Sequence, residues 1–114
     1  MLLRLSFAAL AATLLAGFAA AQPSAGVTVA LTLKEHRFTP QKLTVPAGRP
    51  IRIELVNQDP AAEEFDSDDL HVEKDVTPRG RTSFTVGPLK PGTYAFMGEL
   101  HADTASGEIV AVGP

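Results

Sequence analysis

The chain has 114 residues, with 10 Lys and Arg against 13 Asp and Glu, and no cysteine. A net charge of −3 at pH 7 has the wrong sign for a phosphate-backbone footprint, which excludes nucleic acid as a partner. The absence of cysteine excludes disulfide support and every thiolate-ligated centre, so a hydrophobic core must hold the fold.

The first element is a leader. Arg4 is the only charged residue before Lys34, Leu2 to Phe18 is apolar, and Ala19-Ala20-Ala21 supplies small residues for cleavage. A membrane anchor needs about 20 apolar residues, and this run is shorter and ends at Gln22-Pro23. The pattern predicts a signal peptide over 1–21, cleaved after Ala21, and one exported, periplasmic domain over 22–114. Removing Arg4 with the leader makes the domain one charge more acidic.

The domain then reads as short strands. Val27, Val29, Leu31 and Leu33 alternate with Thr28, Ala30, Thr32 and Lys34. Leu43 and Val45 form a second run, stopped at Pro46-Ala47-Gly48, and Ile51, Ile53 and Leu55 form a third. Thr82, Phe84 and Val86 alternate with Arg81, Ser83 and Thr85. Pro88 and Pro91-Gly92 then break the chain, Tyr94 and Phe96 open another strand, and Ile109, Val110 and Val112 close it. This period of two, with Gly and Pro turns, predicts an all-β antiparallel sandwich, with Phe38, Phe84 and Phe96 in its core. The single helical turn expected lies at Asp103–Ser106. Between the third and fourth strands Glu63, Glu64, Asp66, Asp68 and Asp69 crowd together and read as an acidic loop. Motifs for phosphate binding, serine hydrolysis or zinc proteolysis are lacking.

Three stretches carry a resemblance: Phe38-Thr39-Pro40 with Leu43 to Gly48; Asn57-Gln58-Asp59; and Gly87 to Tyr94 running on through Gly107-Glu108-Ile109-Val110. From Val27 to Val112 the chain resembles a cupredoxin, which implies a Greek-key β-sandwich of about seven strands. The segment Tyr94-Ala95-Phe96-Met97-Gly98-Glu99-Leu100-His101 is similar to the family's Y-x-F-x-C-x-x-H metal loop, with Gly98 at the cysteine position. The first histidine ligand falls at Asp68, and Asp103 to Ser106 covers the axial methionine region. A blue-copper centre needs its thiolate, so none is expected. More narrowly, Glu63-Glu64-Phe65-Asp66-Ser67 with Glu73-Lys74 and the Gly98–His101 loop resembles EfeO-type periplasmic iron-uptake domains. That resemblance implies iron or copper as the bound ion, a ferrous-iron permease in the membrane as partner, and a ferroxidase-like role. It implies a glutamate ligand at Glu64, while the family's two cysteines correspond to Phe38 and Gly98.

Imidazole and carboxylate suit iron, manganese and zinc, whereas Cu(I) prefers sulfur. The candidate ligands are His101, Glu64, Glu99, His36, Asp66 and Met97, with His71 as an outlier beside the acidic stretch. Alternation along the strand places Met97 and Glu99 on one face, opposite Phe96 and Gly98. Glu64 and His101 are expected at one end of the sandwich, with Glu99 and either His36 or Asp66 completing the set. Two further readings stand beside iron handling: a periplasmic copper chaperone or electron carrier, and a metal-free interaction module.

Overall fold

A computed structural model describes residues 25–113; the leader and its cleavage site lie outside them. Nine strands run in chain order: β1 (Val27–Lys34), β2 (Arg37–Thr39), β3 (Lys42–Pro46), β4 (Ile51–Asn57), β5 (Glu63–Ser67), β6 (Val72–Val76), β7 (Arg81–Val86), β8 (Gly92–Gly98) and β9 (Ser106–Val112). They form a four-stranded sheet ordered β2-β1-β4-β7 and a five-stranded sheet ordered β3-β9-β8-β5-β6. The all-β sandwich is as expected, but its sheets are mixed rather than antiparallel. β1 lies parallel to β4, and β3 lies parallel to β9.

Alternation explains the packing. Leu31 and Leu33 of β1 and Ile51, Ile53 and Leu55 of β4 are buried, while their neighbours Arg52 and Glu54 face solvent. The second sheet answers with Leu43, Val45, Phe65, Phe96, Ile109 and Ala111. Phe65 is fully buried, with ring centroids 4.7 Å from Phe84, 4.9 Å from Phe96 and 6.1 Å from Phe38. Phe38 and Phe96 are core residues as expected, and Phe84 packs half-buried against them.

Two expectations need correction. Glu63–Ser67 is a strand, not a loop. Its inward residues are Glu63, Phe65 and Ser67, so only one of three carries the apolar signal that marks a strand. The short helical element is a 3-10 turn at Glu99–His101, earlier than Asp103–Ser106. β5 pairs with β8 only at Phe65–Gly98 and Asp66–Met97. Past that point side chains replace the ladder: Ser67 Oγ donates to the Ala95 carbonyl at 2.6 Å, and the Ala95 N–H donates to Asp69 Oδ2 at 2.8 Å.

Candidate metal-binding pole

At the end of the sandwich where β8 runs into the 3-10 turn, two groups of candidate ligands sit on opposite faces of β5. The inner group is built on a buried carboxylate. The Glu63 side chain is 1% exposed. Its Oε1 accepts the N–H of Glu64 at 3.0 Å and of Leu100 at 2.9 Å. Its Oε2 lies 2.6 Å from His101 Nδ1. A buried charge is tolerable only with such satisfaction, and no buried side-chain polar atom among the described residues lacks a partner.

Gly98 makes this possible. Its φ of −88° is ordinary extended backbone, so conformation does not demand glycine. Space does. A Cβ at residue 98 would lie 2.6 Å from Glu63 Cδ, 2.9 Å from Glu63 Oε2 and 2.9 Å from the Ala105 methyl. The buried carboxylate therefore stands where a residue-98 side chain would go.

The His101 ring stacks on His36, with centroids 3.6 Å apart and planes 14° apart. His36 is held there by a turn the sequence does not favour. Lys34 pairs with Arg37, so Glu35-His36 is a two-residue hairpin loop, and both residues have positive φ, 52° and 55°. Such loops favour Asn and Gly, and a left-handed conformation costs other residues about 1–3 kcal/mol each. Asp59 offsets the strain: Oδ1 accepts the Glu35 N–H at 2.6 Å and Oδ2 accepts the His36 N–H at 2.9 Å. Asp59 is fixed in turn by Asn57, whose Oδ1 accepts the Asp59 N–H and whose Nδ2 donates to the carbonyls of Ala61 and Thr77. Burial pushes the Asp59 carboxyl up, but these two N–H donors and the nearby His36 and His101 pull it below its usual value.

The outer group is acidic. Glu64, Asp66 and Glu99 each place an oxygen within 4.8 Å of the others. Across the β5–β6 ladder Glu64 stands opposite Asp75 and Asp66 opposite Glu73, so like charges face each other, an arrangement that costs stability. The Glu64 carboxyl is pushed above its usual value, first by burial, then by the charge and hydrogen bond of Glu99 and the charges of Asp75 and Glu73. Met97 pairs with Asp66 on this same face, opposite Phe96 and Gly98, and is 41% exposed.

The sequence-based candidates are thus divided. His36 and His101 meet inside, and Glu64, Asp66, Glu99 and Met97 meet outside. Glu64 shares the pole with His101, but adjacent residues of a strand face opposite ways, and its neighbour Glu63 meets the imidazole. Glu63 had no signal of its own beyond the inward phase it shares with Phe65. His71 and Asp68 are exposed in the turn beyond the far end of β5, so Asp68 does not stand in for a histidine ligand at this pole.

Comparison with known proteins gives the family and the fold. The model of the cupredoxin-like domain matches residues 6–111. The chain belongs to the cupredoxin-like domain family. A relative, an uncharacterised protein of Rickettsia prowazekii (strain Madrid E), is 44% identical over 82 residues, which is 72% of this chain and 66% of that protein. Auracyanin A, a "blue" copper protein of Chloroflexus aurantiacus, superposes with a TM-score of 0.66 at 15% identity, covering 77% of this chain and all of its own. A copper binding protein solved in the apo form gives a TM-score of 0.67 at 15% identity over 80% of this chain and 92% of that one. The metal binding domain of the Cu(I)-exporting P-type ATPase CopA of Streptococcus pneumoniae, solved with Cu(I), gives 0.64 at 13% identity over 75% and 85%. At these identities the solved structures establish a shared fold. The blue-copper donor set does not fit this cupredoxin-like pole, because Gly98 offers no thiolate and a carboxylate fills the space.

Proposed function

We propose that this cupredoxin-like domain is a periplasmic iron-handling protein of the EfeO type, capturing Fe(II) and passing iron to a ferrous-iron permease. The observation that carries the reading is the convergence of Glu64, Asp66 and Glu99, three hard oxygen donors beside the single thioether of Met97, at a pole that also holds the imidazoles of His36 and His101. Such oxygen and nitrogen donors suit iron better than Cu(I). An ion held by the three carboxylates would also relieve the like-charge opposition of Glu64 with Asp75 and of Asp66 with Glu73. The leader-like residues 1–21 support export. Hard anionic oxygens favour Fe(III) over Fe(II). A ferroxidase-like step would remove one electron from each iron and deliver it to an acceptor such as dioxygen or Cu(II).

The test is anaerobic calorimetry of the purified protein with Fe(II), Cu(I) and Cu(II). Fe(II) should bind, the Glu64→Gln/Glu99→Gln variant should lose that binding, and Cu(II) should give no intense blue colour. If Cu(I) binds instead, Met97→Ala abolishes it and the acids prove dispensable, the protein is a copper chaperone or carrier. Absence of binding by any of these ions between about pH 5 and 8, a range that spans imidazole deprotonation above the ordinary carboxylate values, would make it an interaction module.

A further inference from the structure

The outer carboxylates leave the buried Glu63–His101 pair without a role, and that pair has a directional consequence. We propose that Glu63 is a positioning residue for cation binding, holding His101 in the Nδ1–H tautomer so that Nε2 is the nitrogen offered to a metal. The inference rests on the metal-binding reading above and adds to it a specific atom and its supporting partner.

The chemistry follows from the donor inventory. With Glu63 ionised and the ring neutral, the proton shared across the 2.6 Å contact belongs to Nδ1, because a carboxylate only accepts hydrogen bonds. The other ring nitrogen then carries a free lone pair. Among the described residues no protein hydrogen bond engages it, and the His101 side chain is 26% exposed against 1% for Glu63. The ring thus has a buried edge tied to an anion and an edge left free. Glu63 cannot easily turn away, because its Oε1 is pinned by the Glu64 and Leu100 N–H groups. Leu100 precedes His101, so one carboxylate fixes both the backbone of the 3-10 turn and the imidazole that follows. An anion on the distal nitrogen also makes the free nitrogen a stronger donor, the arrangement by which carboxylates orient metal-bound histidines. Gly98 completes the device, since any Cβ there would meet the carboxylate.

Two measurements test this. Long-range proton–nitrogen correlation spectra of the apo protein should show His101 as the Nδ1–H tautomer, and Zn(II), a redox-silent probe, should shift Nε2. Co(II) affinity should then fall about 10–100-fold in Glu63→Gln. The same substitution made in a His101→Ala background should cost nothing further, because Glu63 acts through that ring. An Nε2–H tautomer in the apo protein would overturn the proposal even if Glu63→Gln fails to fold. Equal losses from Glu63→Gln with and without His101 would reduce Glu63 to a structural residue and also overturn it. Wild-type affinity unchanged by His101→Ala would sink this inference while leaving the carboxylate reading intact. No binding of Fe(II), Co(II) or Zn(II) by the wild type would end both.

Discussion

Gly98→Ala isolates the contact on which the inner half of the pole depends. The added methyl would sit 2.6 Å from Glu63 Cδ and 2.9 Å from both Glu63 Oε2 and the Ala105 Cβ. Each distance is well inside van der Waals contact, and the nearest atom belongs to a carboxyl carbon whose oxygens are held by three partners. Relief requires moving either the acid or the β8 backbone. Overpacking of this kind costs about 1–3 kcal/mol, to which a disturbed buried hydrogen bond adds about 1–3 kcal/mol. For a domain of this size each kcal/mol corresponds to roughly 4–8 °C in Tm, so a drop of about 10 °C or more is expected in a thermal melt. The backbone is not the cause, since φ at residue 98 is −88°. A double-mutant cycle separates the two explanations. Glu63→Ala removes a buried, fully bonded acid and should itself destabilise, yet in its presence Gly98→Ala should cost less, the remainder being the 2.9 Å approach to the Ala105 Cβ. Adjacent side chains couple by about 0.5–3 kcal/mol, and here the coupling should favour the double variant. A Gly98→Ala protein that melts with the wild type, or a cycle that adds without coupling, would refute the account of why glycine stands there.

Three further outcomes follow from the same geometry. Glu64→Gln should stabilise the metal-free protein at pH 7, measured by melts with chelator. The raised carboxyl penalises the ionised folded state, so the gain should vanish below about pH 4, where the unfolded side chain is also protonated; a loss of stability at pH 7 would contradict it. Asp59→Asn should cost about 1–3 kcal/mol at pH 7 by leaving a backbone N–H of the Glu35–His36 turn short of a partner. Because the folded carboxyl is depressed, its stabilisation is complete above the unfolded value of about 3.9 and is lost as pH falls through the lower folded value, so the gap between variant and wild type should close in acid. His36→Gly should fold at least as stably as the wild type in denaturant titrations, since glycine accepts the φ of 55° without strain.

Much of the fold was legible because β1, β3, β4 and β7 alternate between inward and outward residue types and β9 carries the apolar run Ile109–Val112. What escaped were β2, β5 and β6. β2 is a strand of three residues, too short for a period to register. In β6 only Val72 and Val76 carry apolar character, and Glu73, Lys74 and Asp75 are exposed. β5 hides for the more instructive reason that its inward residue Glu63 is charged, which periodicity scores as solvent. The ligand candidates were recoverable from residue type, but their division between two faces was not. That division depends on the phase of β5, and the phase is set by Phe65 packing among Phe38, Phe84 and Phe96. Nor does any local pattern announce that Asp59 will reach back 23 and 24 positions to support His36 and Glu35.

The costs in this pole are concentrated at one end of the molecule. Elsewhere apolar residues point inward and charges outward, although His71 is also left-handed and Gly92 and Gly107 also sit in strands. At this end it accepts two consecutive left-handed residues, a buried glutamate, a glycine in a strand and opposed carboxylates across a ladder. Each departure lowers stability by itself, and each is matched by a specific partner except the outer carboxylates, for which no ion pair with Lys or Arg is formed among the described residues. The inner departures place an imidazole edge; the outer ones concentrate negative charge. Under the proposed function a bound cation would convert the outer cost into a gain, since it would replace mutual repulsion by shared attraction. The adjacent residues Glu63 and Glu64 bring the two halves together on one backbone, yet their substitution should act oppositely on the metal-free protein: Glu64→Gln relieves a repulsion and stabilises it, whereas Glu63→Ala removes a fully bonded buried acid and destabilises it.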